Sequence, residues 1–433
     1  MNQLKIKQGR LVDTIHHTAQ WGASGVWGSH PTETGVRRLA LGDEDKKVRD
    51  WLVEEARLLG CEVKVDAVGN IFAIYPGKDN LQPPTGMGSH LDTQPTGGRY
   101  DGIYGVLSGL EVLRTMKDNN YVPNYPVALV DWTNEEGARF PVNTIASAVW
   151  AGLQTKEYAY DLESIYDTDR VTFGGELSRI GYKGETDASH VTNPLAAHFE
   201  IHIEQGPILE EENKKIGIVT GVQGYSWNRV IIKGIACHAG TTPMKSRADA
   251  LEMAAKMILK GIEIAEGHGG QATIGTMSVE PSSINVIPER VEFSFDARHH
   301  EDAILKQIVE EAEAAFTAIG AYGKNGSKPL PVEFTNTMTS HSVKFDTNNI
   351  RTVKQAALAL FKAEDVKEII SGAGHDSCNT SRVIPTSMIF IPSKNGISHN
   401  PEEYSSPEDV ENGFKVLLET IIRYDQQRKE QSI

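Results

Sequence analysis

Short apolar runs alternate with helix-period segments through the first half of the chain, which predicts buried strands separated by helices. VRDWLVEEARLLG carries helical spacing through Trp51, Leu52, Ala56 and Leu59, and GVLSGLEVLRTM is also helical. EVKVDAVGNIFAIYPG reads as a strand, a turn at Gly69 and Asn70, and a second strand. PVALVDW is continuously apolar, as suits a central strand covered on both faces. The pattern predicts an α/β layer architecture, a central sheet flanked by helices. HFEIHIEQG alternates instead: Phe199, Ile201 and Ile203 face one way, and His198, Glu200, His202 and Glu204 the other.

Residues from about 224 to 337 follow a different rhythm. NRVIIKG reads as a strand, and RADALEMAAKMILKGIEIA as a helix with Leu251, Ala254, Ile258 and Ile262 on one stripe. QATIGTMSV and VEFSFDA are strands, the second setting Val291, Phe293 and Phe295 against Glu292, Ser294 and Asp296. EDAILKQIVEEAEAAF is a second helix and PVEFTNT a closing strand. The order β-α-β-β-α-β is that of a ferredoxin-like, split β-α-β unit. It is expected as a domain, 224–337, inserted into a discontinuous one made of 1–223 and 338–433.

Composition narrows the picture. A chain of 433 residues is long for one core, which favours two domains. The net charge of −15 disfavours nucleic acid or an anionic membrane surface as partner, while a local arginine can still capture a small anion. No apolar run reaches membrane-spanning length, and MNQLKIKQGRLVD has no apolar core of a signal peptide. Cys61, Cys237 and Cys378 are few, scattered and odd in number, which argues for a reducing compartment and a cytoplasmic location.

Five residues offer metal-ligand chemistry: His90 in GSHLDTQP, Asp101 in RYDGIYG, Glu136 in WTNEEGARF, His202 in HIEQGP and His399 in GISHNPEEYSS. Singly each is weak, since an Asp-Gly is most often a turn and a Glu-Glu pair a solvated helix start. Together they give three imidazoles and two carboxylates, a set suited to zinc or a similar ion, with one carboxylate free to bridge. Their placement fits: Val127 to Val130 leads into Asn134, Glu135 and Glu136, and Met388 to Ile391 leads into the loop carrying His399. Paired cations would polarise a scissile carbonyl and acidify a water, and the free Glu135 carboxylate is the candidate to carry its proton. Cys237 and His238, adjacent on a strand, point to opposite faces and make a poor nucleophilic pair.

GSHLDTQP, DNNYVPNYPVALVDWTNEEGARF, HFEIHIEQGPILE, CHAGTTP, SGAGHDSC and SMIFIPSKNGISHN together resemble the aminoacylase and carboxypeptidase family of dinuclear zinc amidohydrolases. The resemblance covers nearly the whole chain and is closest to the N-carbamoyl-amino-acid amidohydrolase branch, especially the yeast-type β-alanine synthases (β-ureidopropionases). It implies that Asp101 bridges two divalent ions, with His90 and His202 completing one and Glu136 and His399 the other. Zinc is the implied metal, though the same ligand set would accept manganese, cobalt or nickel. A histidine at 202, where peptidases of the wider family tend to place an acid, marks the carbamoylase-like branch.

The resemblance further implies Glu135 as general base and acid, and the inserted domain as lid and dimer interface of a homodimer. His238 matches the histidine that steadies the oxyanion, with turn capping as its plainer role. Asn285 and Arg298 match the pair that binds the substrate carboxylate, against a surface salt bridge of Arg298 to Asp296. Gln205 is a candidate for holding the carbamoyl group, and Asn228 a candidate by position. Asp92, His375 and Asp376 are read as orienters of the ligands. His16, His17, His299, His300 and His341 are read as solvated. Glu289, where a glycine is common, and the His299-His300 pair depart from the family pattern. The implied reaction is hydrolysis of an N-carbamoyl amino acid to amino acid, ammonia and carbon dioxide, with N-carbamoyl-β-alanine favoured. An N-carbamoyl-L-α-amino acid or allantoate is the alternative substrate, and a dipeptidase, an aminoacylase or an inactive binding protein on the same fold are the rivals.

Overall fold

The apolar runs become the middle of a mixed sheet in the computed structural model, which describes residues 4–321 and 329–431. Among those residues this sheet has nine strands. Thr386–Ile391, Ala197–Ile203, Thr85–Ser89 and Val127–Asp131 lie side by side and parallel. Ile216–Val222 extends one side antiparallel, and Ile71–Tyr75 then Glu62–Val65 extend the other. Every residue of the four parallel strands is buried, as their apolar content requires. Helix Ile103–Asp118 packs on the three neighbouring strands 85–89, 127–131 and 197–203. Helices Thr347–Leu360 and Pro407–Gln431 pack on each other and on Thr386–Ile391. The fold is therefore α/β, a central mixed sheet flanked by helices.

The alternation in 197–203 does not produce a wet face. His198, Glu200 and His202 are all buried, so protein groups must supply their hydrogen bonds.

The chain packs as two units. One ends at Thr220 and resumes at Lys344; the other is Gly221–Val343, where 224–337 was expected. The return lies later because the last strand, Val332–Ser340, runs past Thr337 after a bulge between Asn336 and Met338.

The second unit has an antiparallel sheet in the order Gln271–Thr273, Arg290–His299, Gly224–Lys233, Val332–Ser340, with Met277–Glu280 also on Arg290–His299. Helices Ala250–Gly267 and Asp302–Ala321 pack on it, burying Met253, Met257, Ile308 and Phe316 against Val291, Phe293 and Phe295. Asp249 starts the first of these helices by accepting from the Leu251 and Glu252 amides. A small ladder, Cys237–His238 with Val286–Ile287, was not anticipated. Among the described residues no helix is long and apolar enough to cross a membrane.

Candidate metal centre

Parallel strands end on one edge of a sheet, and the candidate ligands collect there. His90 follows Thr85–Ser89, Glu135 and Glu136 follow Val127–Asp131, His202 closes Ala197–Ile203, and His399 lies in the loop after Thr386–Ile391. Asp101 precedes helix Ile103–Asp118 across Gly102, whose φ is 65°. A Cβ on Gly102 would lie 2.3 Å from the His90 ring, so glycine is required by both conformation and space.

Asp101 stands between two sets of donors. Its Oδ1 lies 3.0 Å from His202 Nε2 and 3.6 Å from His90 Nε2. Its Oδ2 lies 3.1 Å from His399 Nε2, which is 3.5 Å from Glu136 Oε2. His90, Asp101 and His202 form one compact donor set, and Asp101, Glu136 and His399 another. Glu135, 7% exposed, brings Oε2 to 3.5 Å from His90 Nε2 without joining either set.

The rings are aimed by the backbone. His90 Nδ1 lies 2.9 Å from the Asp92 carbonyl and His202 Nδ1 2.8 Å from the Ile203 carbonyl. A carbonyl only accepts, so each Nδ1 carries hydrogen, and Nε2 is the ring nitrogen that faces Asp101. The sequence had assigned the orienting role to the Asp92 side chain. That carboxylate instead accepts the Glu135 and Glu136 amides, at 3.2 and 3.3 Å, and shapes the turn that presents both glutamates. His375 stacks edge-on to His202 at 4.7 Å between ring centroids and bonds Ser371, while Asp376 accepts from Ser147.

Crowded negative charge dominates the electrostatics. Burial, with Asp376, Glu136, Asp101 and Asp92 nearby, pushes the Glu135 carboxyl well above its usual range. Burial and Asp101 push Glu136 up to about 8. For Asp101 burial is outweighed by hydrogen bonds from His202 and His399, which hold it well below the usual range. Burial opposes charge on His202, but Asp101 and Glu200 raise it to about 9. The bond to Asp101 raises His399 to about 9 as well, while burial lowers His90 to about 4. Asp101 thus favours a proton on two flanking rings, and a cation held by the same donors would take such a proton's place. Converging imidazole nitrogens and carboxylate oxygens in a buried, acid-rich setting fit divalent cations.

Gln205 reaches this cluster: its Nε2 donates to Asp101 Oδ2 at 3.0 Å, and its buried Oε1 has no hydrogen-bond partner among the described residues. Three supporting residues escaped the sequence reading. Gln94 donates to Glu136 from both backbone and side chain, at 3.1 and 2.8 Å. Glu200 accepts from Ser89 and Ser377, both at 2.6 Å. Glu403 bonds the backbone of Asp101 itself. Gln94 and Glu403 each lie four residues from a ligand, which was the available signal; Glu200 had only its place on the His202 face.

The remaining expected site residues belong to the second unit. His238 is exposed, and its Nδ1 accepts from the Gly240 and Thr241 amides at 3.0 and 3.2 Å. Asn285 is exposed, with its carbonyl on the Ala239 amide, so the two segments lie together. Arg298 pairs with Asp296 at 2.8 Å and lies over the Tyr225 ring. Asn228 is 2% exposed and its amide bonds Ser226 and the Phe295 carbonyl within the sheet, which makes it a strand-fixing group here. His299, read as solvated, is buried, because it shares the inward phase of Val291, Phe293 and Phe295.

A model of peptidase family M20/M25/M40 matches residues 86–423. The N-carbamoyl-L-amino-acid amidohydrolase of Rhizobium meliloti is 37% identical over 422 residues, 96% of each chain. The allantoate amidohydrolase of Bacillus subtilis (strain 168) is 32% identical over 428 residues, 97% of this chain and 98% of its own. A crystal structure of an amidase of the hydantoinase/carbamoylase family from Burkholderia multivorans matches with a TM-score of 0.90 at 42% identity, covering 97% of this chain and 98% of that one. Similarity of this extent, over nearly the full length, means that the chain belongs to peptidase family M20/M25/M40 and is an amidohydrolase.

Proposed function

We propose that the protein hydrolyses the ureido C–N bond of an N-carbamoyl-L-α-amino acid, releasing the amino acid, ammonia and carbon dioxide. The observation that carries this reading is Asp101 between two donor sets, with the Glu135 carboxylate 3.5 Å from one of their imidazoles. His90, His202 and Asp101 would hold one ion, and Asp101, Glu136 and His399 the other. Zinc is proposed, with manganese, cobalt or nickel accepted by the same donors. Bound there, such ions supply Lewis-acid polarisation of the ureido carbonyl.

The chain's own groups do the rest. Glu135, which belongs to neither donor set, takes the proton of the attacking water and returns it to the leaving nitrogen. Gln205, held by its amide nitrogen, presents Oε1 as an acceptor for the carbamoyl N–H groups. His238, whose Nδ1 accepts two amides, carries its hydrogen on Nε2 when neutral and can donate to a developing oxyanion. Arg298 and Asn285 take the substrate carboxylate, the guanidinium being kept in place by Asp296 and Tyr225. The unit 221–343 acts as lid and as the interface of a homodimer, a role consistent with its exposed Trp227, Met277 and Met338. Three free cysteines suit the cytosol as its location.

The α-amino-acid substrate replaces the N-carbamoyl-β-alanine that sequence resemblance favoured, because the relatives above are named for N-carbamoyl-L-amino acids and for allantoate. Allantoate is the second reading, on the strength of the Bacillus subtilis relative. Ammonia release from metal-loaded protein, with N-carbamoyl-L-α-amino acids, allantoate and N-carbamoyl-β-alanine side by side, tests the proposal. The first class should be preferred. Preference for either other substrate replaces the proposed one, and no ammonia from any of the three would overturn the ureido reading.

A further inference from the structure

Glu403 is a buried acid outside both donor sets, only 2% exposed. Its Oε1 accepts the backbone amides of Tyr100 and Asp101, each at 3.0 Å, and its Oε2 accepts from Ser398 Oγ at 2.8 Å. One carboxylate, itself in the loop presenting His399, therefore fastens that loop on Ser398 and ties it to the segment presenting Asp101. Ser398 also lies 3.2 Å from Asp101 Oδ2, closing the connection on the ligand itself. The fit is tight: a Cβ on Gly98 would lie 2.3 Å from the Glu403 Cβ.

The two donor sets differ in how they are secured. His90 and His202 are nearly fully buried and have Nδ1 against backbone carbonyls. The His399 side chain is 48% exposed, its backbone has φ 55°, and no Nδ1 partner occurs among the described residues. Its position depends on its loop. The loop is tied by Glu403 to Ser398 and by Thr96 Oγ1 to the His399 carbonyl, at 3.0 Å.

We propose that Glu403 is a positioning residue for one ion of the pair, the one held by Asp101, Glu136 and His399, and that the ion at His90 and His202, which shares only Asp101 with it, depends on it far less. This inference rests on the dinuclear reading above. Calorimetric titration of zinc into metal-free parent, E403A and E403Q tests it, with bound zinc counted after dialysis. The parent should take two ions. E403A should keep one near parental affinity and bind the other roughly 10–100-fold more weakly, the usual cost of losing a group that orients a ligand. E403Q, whose amide oxygen still accepts both N–H groups, should recover most of the loss. S398A, which leaves Glu403 on the two backbone amides and removes the Ser398 contacts to Glu403 Oε2, Asp101 Oδ2 and Gln205 Nε2, should weaken the same ion by a smaller factor and serves if E403A does not fold. A parent that takes fewer than two ions overturns the dinuclear reading and this inference with it. A parent that takes two, beside variants that match it or lose both ions equally, overturns this inference alone.

Discussion

Ala197–Ile203 and Arg290–His299 share the same period-2 alternation and end in opposite surroundings. Along the first, every position is buried; along the second, Val291, Phe293, Phe295, Ala297 and His299 are buried, while Arg290 to Arg298 on the other phase are half-buried. The first lies between Thr85–Ser89 and Thr386–Ile391 near the centre of a nine-stranded sheet. The second packs its apolar phase on two helices and leaves its polar phase to water and ion pairs. Where water is absent, each polar group has a protein partner: Ser89 and Ser377 for Glu200, Trp132 and Ser377 for His198, Asp101 and the Ile203 carbonyl for His202. Alternation identifies two faces. What covers the polar face decides whether it is a solvent face or a site.

The strongest way to break this comparison is to remove the chemistry that the buried face is proposed to serve. Glu135→Gln keeps the size and burial of the side chain and removes its ability to accept a proton. It should lower kcat about 10²–10⁴-fold while both ions remain bound. Steady-state kinetics with metal analysis checks this, and parental turnover would rule out Glu135 as proton carrier.

Metal loading sharpens the contrast next. An ion that binds only the folded state at 1,000 times its Kd stabilises by about 4 kcal/mol. Hydrogen exchange should place that protection in Ala197–Ile203 and its neighbours, with Arg290–His299 almost unaffected. Equal slowing in both strands would mean that the ions act on the second unit as well. A smaller effect is expected from Glu200→Ala in metal-free protein, where the Ser89 and Ser377 hydroxyls lose their shared acceptor. The cost should be about 2–3 kcal/mol, read from urea unfolding followed by tryptophan fluorescence, since five of the six tryptophans, all but Trp227, belong to that unit. A change within about 0.5 kcal/mol would show that the buried polar face tolerates a missing partner.

The central strands and helices were legible because continuous apolar runs and helical stripes are local properties of the chain. The five candidate ligands were legible for a related reason: each sits just beyond, or at the end of, such an element. What the sequence could not supply was the tertiary partner. Glu403 reads locally as a solvated acid in HNPEEYSS, and only the folded chain brings it to the Asp101 amide. Asp92 reads from the sequence as an orienting side chain, while its carbonyl is what meets His90. The His299 reading failed differently, since the phase of Arg290–His299 was available and would have turned that ring inward. Asn228 is a candidate by position alone, and an amide buried between paired strands is drawn into their hydrogen bonds.

The smallest expected effect belongs to Glu292→Ala, the counterpart of Glu200→Ala on the open strand. Glu292 pairs with Arg229 at 2.7 Å and with Arg290 at 2.5 Å, and all three side chains are partly exposed. Water can replace what the substitution removes, and Arg290 keeps a second partner in Glu280 at 2.9 Å. The melting temperature should fall by less than about 2 °C at low salt. The difference should shrink toward 1 M salt, where the screening length falls to about 3 Å, close to the separation of these exposed pairs. Scanning calorimetry of both alanine variants at the two salt concentrations makes the comparison directly. Equal, salt-independent losses would mean that the polar phase of Arg290–His299 is covered in the working protein, as it would be if a second copy packed there, and the two strands would then differ in what covers them and no longer in whether they are covered.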